Sequence, residues 1–452
     1  MSERQAGISD VVVIGAGHSG LAMSRVLSER GIEHVLLDRG QIANSWRSER
    51  WDSLRLLTPN WLTRLPGRAY AGDDPDGYMS SAQLVEFLEN YAHWAGAPVI
   101  SNTPVTRVTP AGAGYRVATP RGHWLCRAVV LATGACNRPL VPRLAQGIPP
   151  DVTQLHAQAY RNPEQLAPGR VLIVGGSASG LQLAREIRNS GRPVTLAVGE
   201  HVRMPRTYRG RDIQWWMLAS GLLDRRIEDE DDRERARRVP SPQLVGTPGL
   251  TLDLNLLREQ GVEVVGRLVG IQDGRAQFSG SLRNTCMLAD LKQHRLLGAI
   301  DDWIERRDRS TRIPPAERYA PTAIDDAARL ALNLSAELGT VLWATGYRPD
   351  YSWLEVPVLD AKGELKHDRG VVDAPGLYVL GLPYLRRRKS SFIHGAEDDA
   401  RELGAHLAGF LAPSGFRTPT PKALPTHDGL DDHQPPAVKE ARSRSRVLFE
   451  PR

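Results

Sequence analysis

The sequence predicts an α/β fold made of two similar halves, one inserted in the other, and three observations carry that expectation. A β-branched run that breaks into glycines and then turns helical in period occurs around residues 10–30. The same trio recurs around residues 170–190. Two further strand-like runs, 128–131 and 340–343, both continue into Ala-Thr-Gly.

Each element has a local cause. Val11, Val12, Val13 and Ile14 form the first strand, and Leu21, Ala22, Val26 and Leu27 then fall at helical spacing. Val171 to Val174 form the second strand, followed by Leu181, Ala184 and Ile187 on one helical face. With 452 residues the chain has room for two ordinary domains and a smaller element. Hydrophobic residues at 41% and charged residues at 24% are an ordinary globular balance, so a core needs neither disulfides nor metals. Cys126, Cys136 and Cys286 form no C-x-x-C, which speaks for a reducing compartment and against a zinc or dithiol centre. A formal charge of +6 is mild at this length and reads as a solvated basic surface, not a nucleic-acid interface. The polar start Ser2 to Gly7 precedes the first strand without a basic n-region, a cleavage site or a long apolar span. No signal peptide or membrane helix is expected, and the expected location is cytoplasmic.

The glycines carry the chemistry. Gly15-Ala16-Gly17-His18-Ser19-Gly20 is G-x-G-x-x-G between a strand and a helix. Gly15 permits the tight turn, Gly17 lets a pyrophosphate approach the backbone, and Gly20 lets helix and strand pack closely. Phosphates favour the helix N-terminus, where unpaired N–H groups and the dipole attract anions. The next strand ends in Asp38, where a carboxylate can bind both ribose hydroxyls. His18, inside the loop, either touches a phosphate or caps the helix. Gly175-Gly176-Ser177-Ala178-Ser179-Gly180 repeats the loop, but the strand 194–198 that follows ends without a carboxylate. Arg203, Arg206, Arg209 and Arg211 cluster just beyond it, and guanidinium groups pair with a 2′-phosphate. The fold class is therefore α/β with two Rossmann-like dinucleotide-binding domains, one inserted in the other, and the arginines suit the second to NADPH. Expected boundaries are 1–165 for the first part of the outer domain, 166–330 for the NADPH domain with a helical insertion, 331–412 for the second part of the outer domain, and 413–452 for a loosely ordered tail; the family resemblance that follows implies FAD for the outer domain. The dense charge of residues 228–238 reads as a solvated helix or loop.

These features, with Ala132-Thr133-Gly134 and with Ala344-Thr345-Gly346-Tyr347 followed by Pro349, resemble the flavin-containing monooxygenases over residues 8–412. The family's linker fingerprint is matched at His156 and Tyr160, whereas Pro150 and Val152 stand at its Phe and Gly. The resemblance implies that Trp46, beside Arg47, lies against the flavin nucleotide and that Val105 reads the adenine through its backbone. Arg39, Ser45 and Thr58 complete the candidates on the flavin side, and Gly381 and Leu382 belong to the last FAD-contacting strand. Many members carry an Asn beside the flavin ring; in that register this chain has Leu57, with Asn60 three residues later.

The resemblance also implies the reaction: hydride passes from NADPH to the flavin, and a C4a-hydroperoxyflavin oxygenates nitrogen or sulfur, with a carbonyl as the lesser alternative. Leu57, Asn60 and His156 are the candidates at the reacting centre, His156 as an orienting linker residue more than a proton shuttle. The competing reading is an NADPH reductase or dehydrogenase that inserts no oxygen. Expected partners are a small-molecule substrate and molecular oxygen, with a homodimer as the assembly considered, and neither nucleic acid nor a membrane. Arg386-Arg387-Arg388-Lys389 either solvates a loop or attracts an acidic substrate, and Trp215 and Trp216 either line a cavity or pack a core.

Overall fold

The computed structural model describes residues 5–307, 313–325 and 327–412. The tail expected from residue 413 lies outside them. Two sheets organise the described residues, the first mixed around a parallel centre and the second wholly parallel. In the first, the central order is Leu377–Val379, Gly122–Leu131, Gln5–Ile14, His34–Leu37, Val99–Ile100. Val11, Val12 and Val13 have no exposed surface, as expected of a parallel strand covered on both faces. Residues 107–111 and 114–119 extend this sheet as an antiparallel hairpin against Gly122–Leu131.

The second sheet runs Thr153–His156, Leu338–Trp343, Arg170–Val174, Val194–Val198, Glu263–Gly266, all parallel. Its membership differs from the expected boundaries at 165 and 330. Thr153–His156 and Leu338–Trp343 were placed with the first half, yet both pair here. The cause is burial: all six residues of Leu338–Trp343 are buried between the strands on either side. The Ala-Thr-Gly that follows thus belongs to the second half, as Ala132-Thr133-Gly134 belongs to the first.

Helices cover the sheets. Ser81–Ala95 starts at a capping box, Ser80 with Gln83, and stops at Gly96 with φ +61°. Ala396–Leu411 packs on His18–Glu29 where a β-carbon on Gly404 would stand 2.6 Å from Val26 Cγ1, so only glycine lets the two helices approach this closely. The insertion holds the short helix Ile213–Ala219 and the 24-residue helix Leu282–Glu305 around a core of Trp216, Met217, Leu223, Leu297 and Ile300. Trp216 packs in that core and donates to Tyr208 O at 2.6 Å, while Arg211 lies over Trp215. No helix among the described residues is long and apolar enough to cross a membrane.

Candidate functional site: two glycine cradles

The first cradle joins three strands. Gly15 takes φ +110°, donates to Leu37 O at 2.8 Å, and has Ala132 O 2.5 Å from where its β-carbon would be. A β-carbon on Gly20 would overlap Gly15 O, so the helix starts in direct contact with the turn. Gly17, by contrast, has no atom within 4 Å of its β-carbon position. That open space above the helix N-terminus is where a pyrophosphate fits. Asp38 is buried; its Oδ2 accepts from Ala16 N at 2.7 Å and its Oδ1 from Gly40 N at 2.9 Å. Each oxygen keeps a lone pair for a ribose hydroxyl. The loop also holds two orphaned polar atoms, His18 Nε2 and Ser19 Oγ. Burial pushes the His18 pKa down to about 4, so the ring is neutral. Gly381, at φ +84°, closes directly on Ser19, which brings the last strand's loop to the same helix N-terminus.

Around this cradle the other candidates fall into two groups. Trp46 sits on the short helix Asn44–Ser48, entered through Ala43 at φ +59°, with Arg50 over its ring at 5.0 Å. Ser45 shares that helix, whereas Arg39 is exposed and pairs with Glu49. Val105 precedes the strand 107–111 and packs half-buried on the first core. Leu57 and Thr58 are half-buried, with Leu57 packed against the insertion's core.

Asn60 is built into its own loop. Its Nδ2 donates to Asp74 O at 2.9 Å and its Oδ1 accepts from Met79 N at 2.8 Å. So bonded, the buried amide ties residues 60, 74 and 79 together. His156 ends its strand half-buried, and its Nδ1 accepts from Ala159 N at 3.2 Å. Burial and Arg161 lower its pKa, so it is a neutral turn residue. Tyr160 is fully buried and bonds Glu186 at 3.1 Å.

The second cradle repeats the first. Gly175, at φ +122°, donates to Ala197 O, and its β-carbon would overlap Ala344 O as Gly180's would overlap Gly175 O. Ser177 stands where the first loop has Gly17, at the N-cap of the helix Ala178–Asn189. A cleft of about 1260 Å³ opens here, lined by Ser177, Ser179, Gly199, Arg237, Arg267, Thr345 and Gly346 among others. Arg237 and Arg238 come from the charged stretch read as a solvated helix or loop, which in fact forms one wall of this cleft.

The arginines expected at a 2′-phosphate are engaged elsewhere. Arg203 is buried, with Asp253 at 2.6 Å, Asp290 at 2.8 Å and Ala320 O at 2.9 Å. Arg206 is fully buried and pairs with Asp212 at 2.6 Å. Arg209 pairs with Asp301 at 2.9 Å. Freeing Arg203 would strand the buried carboxylates of Asp253 and Asp290. What the sequence reading missed is Arg267, between the strands Glu263–Gly266 and Leu268–Gln272. Gly199 occupies the strand-end position that Asp38 holds in the first half, and Arg267 Cδ stands 3.7 Å from Gly199's β-carbon position. Arg267 makes no ion pair among the described residues. Glu200, next along, is drawn to Lys292 at 2.7 Å. Arg386, Arg387, Arg388 and Lys389 also have carboxylate partners: Glu402, Asp399, Glu230, and Asp224 with Asp398.

Two dinucleotide cradles, each on parallel strands, define an oxidoreductase of the two-nucleotide class. Residues 12–216 match the pyridine nucleotide-disulphide oxidoreductase family. The chain is 32% identical to a CzcO-like oxidoreductase of Geobacillus kaustophilus over 88% of this chain and 97% of that one. It is 33% identical to an indole-3-pyruvate monooxygenase of Arabidopsis thaliana, YUCCA6, over 45% of this chain and 51% of that one. A flavin-containing monooxygenase structure from Stenotrophomonas maltophilia superposes with a TM-score of 0.59 at 23% identity, covering 90% of this chain and all of that one (100%). The chain belongs to the CzcO-like oxidoreductases.

Proposed function

We propose that the protein is an FAD- and NADPH-dependent monooxygenase acting on a nitrogen or sulfur centre of a small molecule in preference to a carbonyl. The observation that carries this reading is the contrast between two otherwise equal cradles, one ending in Asp38 and the other in Gly199 beneath Arg267. A carboxylate suits the unphosphorylated ribose of FAD, and a guanidinium without one suits a 2′-phosphate. When bound, the two cofactors supply hydride transfer and oxygen activation. NADPH and one proton give two electrons, one oxygen atom enters the substrate and the other leaves as water.

The chain's own part is to bind, orient and exclude water. Leu57 and Phe392 pack with Trp215 and Leu218 on the insertion's core, giving an apolar wall beside the flavin-side segment. Two of the three cysteines are withdrawn from redox chemistry: Cys126 and Cys286 are buried, with burial pushing both thiols up to about 12. One observation favours a reductase without oxygen insertion, namely that Leu57 offers no amide and Asn60's is committed.

The test is stoichiometry. NADPH oxidised, oxygen consumed and hydrogen peroxide released are measured with a panel of amines and thioethers. Monooxygenation gives oxygenated product in proportion to NADPH for at least one class. Complete recovery of the electrons as peroxide with every compound favours the reductase.

A further inference from the structure

Arg206 is the largest buried cation on the seam between the two halves, and its partners come from both. Nη1 donates to Leu57 O at 2.8 Å and to Val245 O at 3.4 Å, and Nη2 donates to Asp212 Oδ1 at 2.6 Å. Asp212 Oδ2 in turn accepts from Tyr78 OH at 2.6 Å, and the guanidinium lies over the Tyr78 ring at 5.0 Å. Leu57 and Tyr78 belong to the first half, whereas Val245 and Asp212 belong to the insertion of the second. Gly246 lies on the same seam: a β-carbon there would overlap Leu56 O and stand 2.7 Å from Arg55 Cβ and 3.2 Å from Tyr78 Cβ. Only a glycine lets the two backbones meet at this separation.

We propose that Arg206, seated against Gly246, is a positioning residue that locks the second half onto segment 55–58 of the first and so sets the gap across which hydride passes. Its function rests on the FAD and NADPH reading above, but the lock itself does not. A charged donor on a main-chain carbonyl in a dry seam is a strong, directional contact, and loss of Arg206 leaves Leu57 O and Asp212 without it. Arg206 Nε has no partner, so the guanidinium is held only by these contacts. The segment it grips carries Leu57, the residue expected beside the flavin ring. A loosened seam therefore changes the transfer distance without touching either cradle.

The experiment combines amide hydrogen exchange with anaerobic reduction. Arg206→Ala, Arg206→Lys and Gly246→Ala are compared with wild type, first as flavin-free protein and then loaded with FAD. In the flavin-free protein we expect exchange of segments 55–58 and 245–251 to speed up roughly tenfold or more in Arg206→Ala. Arg206→Lys, which keeps the charge but loses the fork, should fall between. Gly246→Ala, with Arg206 intact, should loosen the same segments by wedging them apart. In the loaded proteins flavin content and NADP⁺ affinity should stay within about twofold, while flavin reduction by NADPH slows roughly tenfold. Unchanged exchange in Arg206→Ala overturns the lock, as does a selective loss of NADPH over NADH affinity, which would make Arg206 a phosphate ligand. If Arg206→Ala does not fold, the Lys and Gly246 variants decide alone: unchanged exchange in both overturns it. Failure of wild type to bind FAD or accept NADPH sinks the cofactor reading and leaves the exchange result standing.

Discussion

The side chain of Arg267 lies across Gly199, with Cδ 3.7 Å from where that glycine's β-carbon would be. This pair is the second half's counterpart of Asp38 at the first cradle. Arg267→Ala should therefore weaken NADPH binding roughly tenfold or more and leave NADH nearly unchanged, since a charge-assisted pair contributes about 1.5–3 kcal/mol. Gly199→Asp should have the same sign. Binding titrations of both coenzymes check it, and equal losses for the two would make Arg267 structural.

Gly17 and Gly20 should separate binding from folding. A β-carbon at Gly17 has no protein atom within 4 Å, so Gly17→Val should fold normally but purify without flavin. Gly20→Ala drives a β-carbon into Gly15 O, so it should lose about 1–3 kcal/mol or more of stability whatever is bound. Thermal unfolding and flavin content, measured on both, test the contrast. A yellow, stable Gly17→Val protein would remove the first cradle from the FAD site.

How much of this was legible follows contact distance along the chain. Gly15 meets Leu37, Gly20 meets Gly15 and Asp38 meets Ala16 within one strand–loop–helix–strand unit, so their spacing alone announced the cradle. Arg203 finds its carboxylates 50 and 87 residues away, and nothing local marks Asp253 and Asp290 as its partners. An arginine cluster near a nucleotide strand therefore read as ligand-binding, whereas Arg203, Arg206 and Arg209 each pair with a carboxylate. Arg267 was invisible for the same reason, because only sheet pairing brings it to Gly199. The bonds of Asn60 to Asp74 and Met79 were not legible either, because a bonded amide and a free one look alike in sequence.

His18 makes acid stability of the flavin-free protein depend on one ring. Its pKa is lowered by burial from 6.5 to about 4, so the unfolded chain takes up a proton that the folded chain refuses. The stability present above pH 6.5 is lost as pH falls toward about 4, by up to about 3 kcal/mol. His18→Asn should flatten that part of the stability curve. Denaturant titrations across this window give the slope, and parallel curves for the two proteins would show that His18 does not titrate as described.

Leu57 presents only a carbonyl and an apolar side chain at the flavin-side segment. Wild type should therefore leak hydrogen peroxide even with a good substrate. Leu57→Asn should leak roughly threefold to tenfold less, the worth of one hydrogen bond of about 0.5–1.5 kcal/mol. Peroxide released per NADPH oxidised measures this, and an unchanged ratio in a folded, flavin-loaded variant would remove Leu57 from the reacting centre.

The central claim is that one cradle holds FAD and the other delivers NADPH's hydride to it. Anaerobic rapid mixing of the flavin-loaded protein with either coenzyme tests it most directly, through loss of the flavin's visible absorbance. NADPH at limiting concentration should bleach the flavin roughly tenfold or more faster than NADH, and Arg267→Ala should erase that difference. Protein that takes up no flavin, or flavin that bleaches equally fast with both coenzymes, would contradict the account.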